Sequence, residues 1–338
     1  MDTTRRSFLK TAIGTGSLVA AGGFALPARA AEFQYKLGHP YPENLPVHTH
    51  ALAAAEKILK ETNGRVDIKV YGNSALGGDT QMISQVRSGA LQFYSGAGVI
   101  VSSLVPVAAI SGVGFAFNNY KSIWTALDGN LGAHIRGAFG KAGLFAFDKC
   151  WDTGFRQVSS GTKPVKTPAD LNGFKIRVPV SRAYTSLFSA LGASPASINL
   201  AEVYSALQTK IVDGQENSLA VFAGAKFFEV QKYLSLTNHL WDGSWLLANG
   251  AAWKALPPEL QTIVAKNFNE AAVAQRIESE KFNLDWRTRL KAQSVEFNDV
   301  NPDEFKAALR KAGYYKDWAE RYGPEAWSLL EKYAGKLA

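Results

Sequence analysis

EFQYKLGHP at residues 32–40 alternates apolar and polar side chains and then breaks at Gly-His-Pro, as a half-buried strand does at its end. A helical spacing of apolar side chains follows at 48–61, and VDIKVY at 66–71 forms a second strand pattern. A helix pattern at 79–88 and a strand pattern at 91–94 repeat this order. Alternating strands and helices are typical of α/β folds, so the sequence predicts a largely parallel sheet.

The same alternation starts again after residue 153. Helix patterns lie near 182–191, 201–209 and 220–228, and strand patterns lie near 197–199, 234–238 and 244–249. We therefore predict two α/β domains. Domain I comprises residues 31–153 plus about 242–281, and domain II comprises residues 154–241 plus about 282–338.

A long helix is predicted after Pro258. No Gly or Pro occurs from there to about Ser294, and apolar residues keep a helical stripe. At about 1.5 Å per residue such a helix spans about 50 Å, which exceeds the width of one domain. The stripe is not a sustained heptad pattern, so we expect a helix that crosses both domains rather than a coiled coil.

The first thirty residues have the pattern of an export signal. TRRSFLK at 4–10 is basic, residues 11–26 are small and apolar, and Ala-Arg-Ala at 28–30 forms a cleavage motif. The paired arginines followed by Phe-Leu-Lys resemble a twin-arginine signal peptide. We expect cleavage after Ala30 and a periplasmic mature protein.

Composition and charge exclude several classes of protein. Of 338 residues, 46% are hydrophobic and 20% are charged, which is typical of a globular chain and excludes disorder as the main state. Without residues 1–30 the chain has 33 basic and 28 acidic side chains, a net charge of +5. No run of five like charges occurs, so no nucleic-acid partner is expected. Cys150 is the only cysteine, which excludes an intrachain disulfide.

Signatures of enzymes, cofactors and metals are weak. GAG at 96–98 is followed by Val101 where a dinucleotide-binding loop needs its third glycine. His48 and His50 are two positions apart, so on a helix they face different sides, and no further metal ligand accompanies them. Cys150 has no histidine near it in sequence. The sequence therefore predicts neither a metal site nor a bound cofactor.

Seven short motifs carry a resemblance to a known family. They are TNGRV at 62–66, LGGD at 76–79, QVRSGAL at 85–91, DTGFR at 152–156, DLNGFKIRVP at 170–179, AEVYSALQ at 201–208 and VDGQEN at 212–217. In these the chain resembles the dicarboxylate-type solute-binding subunits of tripartite ATP-independent periplasmic (TRAP) transporters. The resemblance implies a two-domain fold like that of periplasmic binding proteins, without enzymatic activity or cofactor. It also implies a monomer that captures a carboxylate-containing organic anion and delivers it to membrane permease subunits.

The resemblance assigns candidate ligand-binding residues in the second domain. It places Arg177 where the family forms a two-pronged salt bridge to the ligand carboxylate, a role suited to the paired N–H donors of a guanidinium. It also implies that Arg156 contacts the carboxylate and that Asn217 contributes an amide. Purely structural roles stay open for all three: an interdomain ion pair for Arg177, a surface position for Arg156, and a simple turn beside Asn217.

Three further residues are candidates from their positions. His39 follows the first strand, at the edge where open α/β sheets bind ligands. Trp151 and Trp241 precede and follow the second series of strands and helices. Since the candidates for the far end of the ligand are aromatic, we expect a monocarboxylate with a hydroxylated, cyclic or aromatic body rather than a short dicarboxylate.

Two alternative functions stay open from the sequence. A secreted enzyme acting on a carboxylate substrate would need a general base, for which Glu216 is the obvious candidate. A periplasmic sensor or scaffold would use the same fold without a permease. The identity of the organic acid is not predicted.

Overall fold

The computed structural model describes residues 30–337, so the predicted signal peptide lies, except for Ala30, outside the described residues. The first half of the chain contains β1 (Phe33–Gly38), α1 (Pro46–Glu61), β2 (Val66–Tyr71), α2 (Asp79–Ser88), β3 (Phe93–Ala97), α3 (Gly98–Val101), α4 (Tyr120–Leu127), α5 (Asn130–Lys141) and β4 (Leu144–Ala146). The predicted β-α-β units are confirmed in this half. The helices between residues 98 and 142 were not predicted.

The second half of the chain begins with a strand that belongs to a different sheet from β4. It contains β5 (Phe155–Ser160), β6 (Lys175–Val178), α6 (Arg182–Ala190), β7 (Ser194–Ser197), α7 (Val203–Gln208), β8 (Gly214–Ser218), α8 (Leu219–Gly224), β9 (Tyr233–Trp241), β10 (Ser244–Asn249), α9 (Gly250–Ala255), α10 (Pro258–Ala292), β11 (Glu296–Asp299), α11 (Pro302–Lys311) and α12 (Tyr314–Ala334). Short 3-10 helices lie at Pro106–Gly112, Pro168–Leu171, Leu200–Glu202 and Phe227–Glu229.

The strands form two sheets. The first has the order β2-β1-β3-β10-β4 and the second has the order β11-β9-β5-β8-β6-β7. Each sheet is mixed, because β10 runs antiparallel to both β3 and β4 and β5 runs antiparallel to both β8 and β9. The other strands of each sheet are parallel, so the expectation of a largely parallel sheet is confirmed and fails only for these two strands. Both enter their sheet directly from the other sheet, so no helical crossover returns the chain to a parallel direction.

Besides the helical connection through α10, two short crossing segments connect the sheets, residues 147–154 between β4 and β5 and residues 242–243 between β9 and β10. The segments are hydrogen-bonded to each other. The Trp151 amide donates to the Ser244 carbonyl at 2.9 Å, the Ser244 amide donates back at 3.0 Å, and the Thr153 hydroxyl donates to the Asp242 carbonyl at 2.6 Å. The two connections thus form one short ribbon between the sheets.

The long helix α10 confirms the predicted sheet-spanning helix. It has 35 residues, and its first half packs Leu260, Val264 and Phe268 into the apolar cluster around α1 and the first sheet. Near its end, Leu290 joins the cluster beneath β9 and α7. The helix therefore contributes to the core on both sides of the crossing segments.

The middle of α10 is hydrogen-bonded to the crossing segment before β5. The Gln275 side chain accepts from the Asp152 amide at 2.9 Å and donates to the Asp152 carbonyl at 2.7 Å. Arg276 donates to the Cys150 carbonyl at 2.8 Å and pairs with Asp128 through both terminal nitrogens. These bonds tie the helix and the ribbon together.

The C-terminal helix α12 changes direction at Gly323, which has φ 78°, and continues at Pro324. It packs against α4 and α5 of the first half and against α6 of the second half. The predicted domain boundaries, including the assignment of residues 282–338 to domain II, stay a prediction. No helix within residues 30–337 has the length and apolar character needed to cross a bilayer.

Gly243 provides a test of how tightly the ribbon packs. A Cβ on this residue would collide with the Trp241 ring and the Cys150 sulfur. We expect Gly243→Ala to lower the free energy of unfolding by about 1–3 kcal/mol, since this site has no room for an added methyl group. Denaturant unfolding measures the change. The control is Gly137→Ala in α5, where an added Cβ meets no atom within 4 Å and should stabilise by about 0.5–1 kcal/mol. Equal stability of both variants would contradict the packing argument.

Candidate functional site

The candidate site lies where corresponding edges of the two sheets meet the ribbon. β6 and β8 end at this edge of the second sheet and antiparallel β5 begins there, while β1 and β3 end at the matching edge of the first sheet. In open α/β sheets, ligands usually contact side chains at the carboxyl ends of the parallel strands. Arg156, Arg177 and Asn217 each lie within two residues of the edge of the second sheet.

Arg177, on β6, is 1% exposed. Its Nε and Nη2 donate to the Ile198 carbonyl at 2.8 and 2.6 Å, and its Nη1 has no partner among residues 30–337. Burial lowers the pKa of Arg177 to about 10, with Arg156 acting in the same direction and Glu216 opposing it. The guanidinium therefore stays charged at neutral pH, and no acidic residue of the described chain forms an ion pair with it.

Arg156, on β5, is engaged by an acidic partner. Its Nε and Nη2 donate to the two carboxylate oxygens of Glu216 at 2.6 and 2.7 Å, and His239 lies 3.1 Å from the same carboxylate. Burial by itself would raise the pKa of Glu216, but the charge of Arg156 and hydrogen bonds from Arg156 and His239 outweigh it, so the pKa is lowered. Glu216 is thus an ionised partner in a buried pair rather than a free general base.

Asn217 follows Glu216 on β8, and its amide donates to the Gln215 side chain at 3.0 Å. Strand register pairs Arg177 with Gln215 and Arg156 with Ser218. Because side chains alternate along a strand, Asn217 shares the sheet face of Arg177, whereas Arg156 shares the opposite face with Glu216. The two arginines therefore approach the edge from different faces.

Tyr184, on α6, links these groups. The centre of its ring lies 5.2 Å from the Arg156 guanidinium carbon, and its buried hydroxyl has no partner in the described part of the chain. Burial raises the pKa of Tyr184; the positive charges of Arg156 and Arg177 oppose the rise, and Glu216 and Asp242 add to it. The phenol thus lies within electrostatic range of both arginines and of both carboxylates.

Two further acidic groups lie in the same region. Asp79, at the start of α2, accepts from the Tyr94 hydroxyl at 2.7 Å. Asp242, in the ribbon, is fully buried. Burial raises the pKa of both carboxyls, and that of Asp242 reaches about 7. The positive charge of Arg177 opposes this rise for Asp79, and the positive charge of Arg156 opposes it for Asp242. The carboxyl groups of Asp79 and Asp242 therefore lie within electrostatic range of the two arginines.

The two candidate tryptophans lie in or beside the ribbon. Trp151 is buried, and its indole N–H has no partner within the described residues. Trp241 donates its N–H to Asp152 at 2.8 Å and packs edge-on against Trp124, with ring centres 5.1 Å apart. Trp151 thus keeps a free donor, whereas the polar atom of Trp241 is already engaged.

His39 contacts His48 and Tyr41. Its Nε2 is 2.9 Å from Nδ1 of His48, and its ring stacks on Tyr41 at 5.9 Å. His50, considered with His48 as a metal ligand, pairs instead with Glu278 at 2.7 Å. Within residues 30–337 no group of three or more His, Cys, Asp or Glu side chains is arranged to hold a metal ion.

An open groove lies elsewhere at the surface. It has a volume of about 330 Å³, and its lining includes Pro42, Asn73, Tyr204 and Lys226 but none of the six predicted site residues. The groove has no buried cation without an acidic partner, whereas the buried cluster around Arg177 has one. The cluster is therefore the better candidate for binding an anion.

Sequence reasoning missed part of this cluster. Tyr184 was not singled out, and Asp79 appeared only as part of the motif LGGD. Asp242 was not singled out as a site residue. Its position in the sequence could have indicated it. Asp242 lies between two strand patterns that lead back to the first domain, so it has to lie near the domain junction.

The buried histidine pair predicts a pH effect on stability. Burial, and to a smaller extent His48, lower the pKa of His39 to about 3. Burial also lowers the pKa of His48, which Glu43 opposes. Below pH 6.5 the unfolded chain therefore binds a proton at His39 that the native chain does not, so the free energy of unfolding falls as the pH falls. For His39 alone the loss is about 2 kcal/mol between pH 7 and pH 5.

The measurement compares urea unfolding at pH 7 and pH 5 in the native chain and in His39→Gln. Asp152 and Asp242 have raised pKa values and act with the opposite sign, so the difference between chains isolates the histidine. We expect His39→Gln to lose less stability on acidification, and His134→Gln, a partly exposed control, to behave like the native chain. The same loss in all three chains would contradict the prediction.

Comparisons with known proteins identify the family of the chain. A model of the family described as bacterial extracellular solute-binding protein, family 7 (DctP), matches residues 37–320. The 2,3-diketo-L-gulonate-binding periplasmic protein YiaO of Escherichia coli is 33% identical over 78% of this chain and 79% of its own length.

Two solved structures share the fold. A TRAP periplasmic solute-binding protein of Sulfurospirillum deleyianum with bound succinate is 31% identical, with a TM-score of 0.83, and covers 90% of this chain and 99% of its own. The sugar acid binding protein of Advenella mimigardefordensis in complex with galactonate is 27% identical, with a TM-score of 0.86, and covers 91% and 100%. The chain therefore belongs to family 7 of the bacterial extracellular solute-binding proteins and is a TRAP-transporter solute-binding protein rather than an enzyme.

Proposed function

We propose that the mature chain is a periplasmic monomer that binds a monocarboxylate with a hydroxylated, cyclic or aromatic body at Arg177 and delivers it to its permease subunits. The observation that carries this proposal is the buried Arg177 guanidinium, which has a free N–H donor and no acidic partner in the described chain. A buried cation without a counterion is unfavourable, and a ligand carboxylate supplies both the charge and the acceptor.

The charges around the site favour one carboxylate over two. Arg156 is neutralised by Glu216, so Arg177 is the cation left to attract an anion. Asp79 on α2 and Asp242 in the ribbon lie in the same region, and neither offers a positive charge to a second carboxylate. A short dicarboxylate would therefore place its second charge in an unfavourable environment.

The remaining candidate residues make different contributions to ligand binding in this proposal. Asn217 shares the sheet face of Arg177 and contributes its amide near the carboxylate. Trp151 offers its free indole N–H and its ring to the ligand body. Trp241 contributes only its ring, because its N–H is bound by Asp152. Arg156 keeps Nη1 for the ligand, since Glu216 occupies its other donors, and His39 supports the site through Tyr41.

Binding and delivery require the two halves to move. The cluster is enclosed by both sheets, so a ligand enters only when they separate about the ribbon. A ligand that contacts both halves favours the closed state by its differential affinity for it. The closed form then docks on the permease, and the relatives of the family are proteins of such transporters.

A panel of acids tests the ligand class. We expect galactonate and glucuronate, as hydroxylated monocarboxylates, to raise the melting midpoint of the mature chain, with succinate giving a smaller shift. At a ligand concentration a hundredfold above Kd, mass action adds about 2.7 kcal/mol to the free energy of unfolding. Thermal-shift assays at matched concentrations measure the midpoints. A shift with succinate alone would show that the monocarboxylate assignment is wrong.

Arg177→Lys tests the anchoring residue. Lysine keeps a positive charge but loses the paired donors, so we expect the affinity for the best acid of the panel to fall by about 1.5–3 kcal/mol, which is about 10–150-fold in Kd. Titration calorimetry measures Kd, and circular dichroism confirms the fold. Arg182→Lys, at an exposed position on α6, is the matched control and should bind as the native chain does. Unchanged affinity in Arg177→Lys would refute the assignment.

A further inference from the structure

Asp242 is a buried carboxylate with an unused acceptor. It lies in the ribbon between β9 and β10, and its main-chain carbonyl is fixed by the Thr153 hydroxyl at 2.6 Å. Its Oδ1 lies 3.4 Å from the Val99 amide, whereas its Oδ2 is buried without a partner among residues 30–337. Buried acceptors are nearly always satisfied by a partner, so this oxygen needs a donor from outside the chain.

The groups facing Asp242 come from several elements. Those within electrostatic range of its carboxyl are Arg156 on β5, Glu216 on β8, Tyr184 on α6, Tyr41 after β1, Tyr94 on β3, Cys150 in the ribbon and Tyr322 on α12. Arg156 is the one cation in this set, and it is already paired with Glu216. No side chain of the set therefore forms an ion pair with Asp242.

A second unpartnered atom lies in the same buried region. The Tyr184 hydroxyl is buried without a partner in the described chain and lies within electrostatic range of Asp242, Arg156 and Arg177. A ligand hydroxyl both donates and accepts, so it could donate to Asp242 Oδ2 and accept from Tyr184. A second carboxylate has no proton to donate to Asp242 Oδ2 and would find no unpaired cation of the described chain there, and an ammonium group would lie near two guanidinium groups.

We infer that Asp242 is a specificity-determining residue of this site, which selects ligands that carry a hydroxyl group away from the carboxylate and rejects those with a second carboxylate there. The inference rests on the proposed function, because it requires the ligand carboxylate at Arg177. It adds an acceptor that the ribbon presents to the body of the ligand. Tyr184 on α6 is the donor to the same hydroxyl.

Asp242→Asn tests the inference, because the amide keeps the size of the side chain but removes the charge and half of the acceptor capacity. Titration calorimetry gives Kd for galactonate and for succinate in the native mature chain and in the variant. We expect the galactonate affinity to fall at least tenfold, with succinate unchanged or tighter, so that the ratio of the two affinities collapses. Asp148→Asn, at an exposed position, is the matched control and should keep the native ratio.

A second variant covers the case in which Asp242→Asn does not fold, as judged by its melting transition. Tyr184→Phe removes only the hydroxyl, and we expect it to weaken galactonate binding more than succinate binding. If galactonate and glucuronate fail to bind the native chain, the proposed function fails and the inference with it. If they bind and both variants keep the native ratio, the inference alone is overturned.

Discussion

The buried charge of Arg177 is the constraint on which the site depends. Two arginines, Arg156 and Arg177, are buried near the edge of one sheet, and a protein interior tolerates such charges only when they are paired or hydrogen-bonded. Glu216 satisfies Arg156 with a two-pronged ion pair, whereas Arg177 has only the Ile198 carbonyl. Of these two buried arginines, Arg177 alone thus lacks a negatively charged partner in the described part of the chain. An anion from outside the chain supplies one.

The ribbon and α10 determine how this charge meets the other sheet. The two short connections between the sheets hydrogen-bond to each other, and Gln275 and Arg276 hold one of them to the helix. Trp241, Asp152 and Trp124 fill the space around the ribbon. The same few residues that join the halves therefore also form the floor of the candidate site, which couples the position of Asp242 to the angle between the sheets.

Much of the fold could be predicted from local patterns. Strand alternation at 66–71, the apolar spacing of α2 and the absence of Gly and Pro after Pro258 identify elements whose observed bounds differ by at most a few residues. The direction of β10 could not be predicted, because it depends on β9 passing straight into the other sheet. Strand patterns report side-chain alternation and carry no information on which sheet a strand joins.

The candidate site, like the fold, could be predicted only in part. Motifs indicated Arg156, Arg177 and Asn217, and the structure brings all three to one sheet edge. The pairing of Arg156 with Glu216 was not predicted, because these residues are sixty positions apart and meet only through the register of β5 and β8. Asp242 and Tyr184 carry no motif, so only the missing partners of their buried atoms reveal them.

Cys150 gives the ribbon a chemical property of its own. The thiol is fully buried against Trp241 and Gly243, and burial raises its pKa well above the usual value. Thiol reagents attack the thiolate, so the native chain presents no reactive sulfur while the ribbon is packed. Labelling of Cys150 therefore reports each transient separation of the two connections. A cysteine introduced at an exposed position such as Ile211 would be the one site that a fluorophore modifies in the native state.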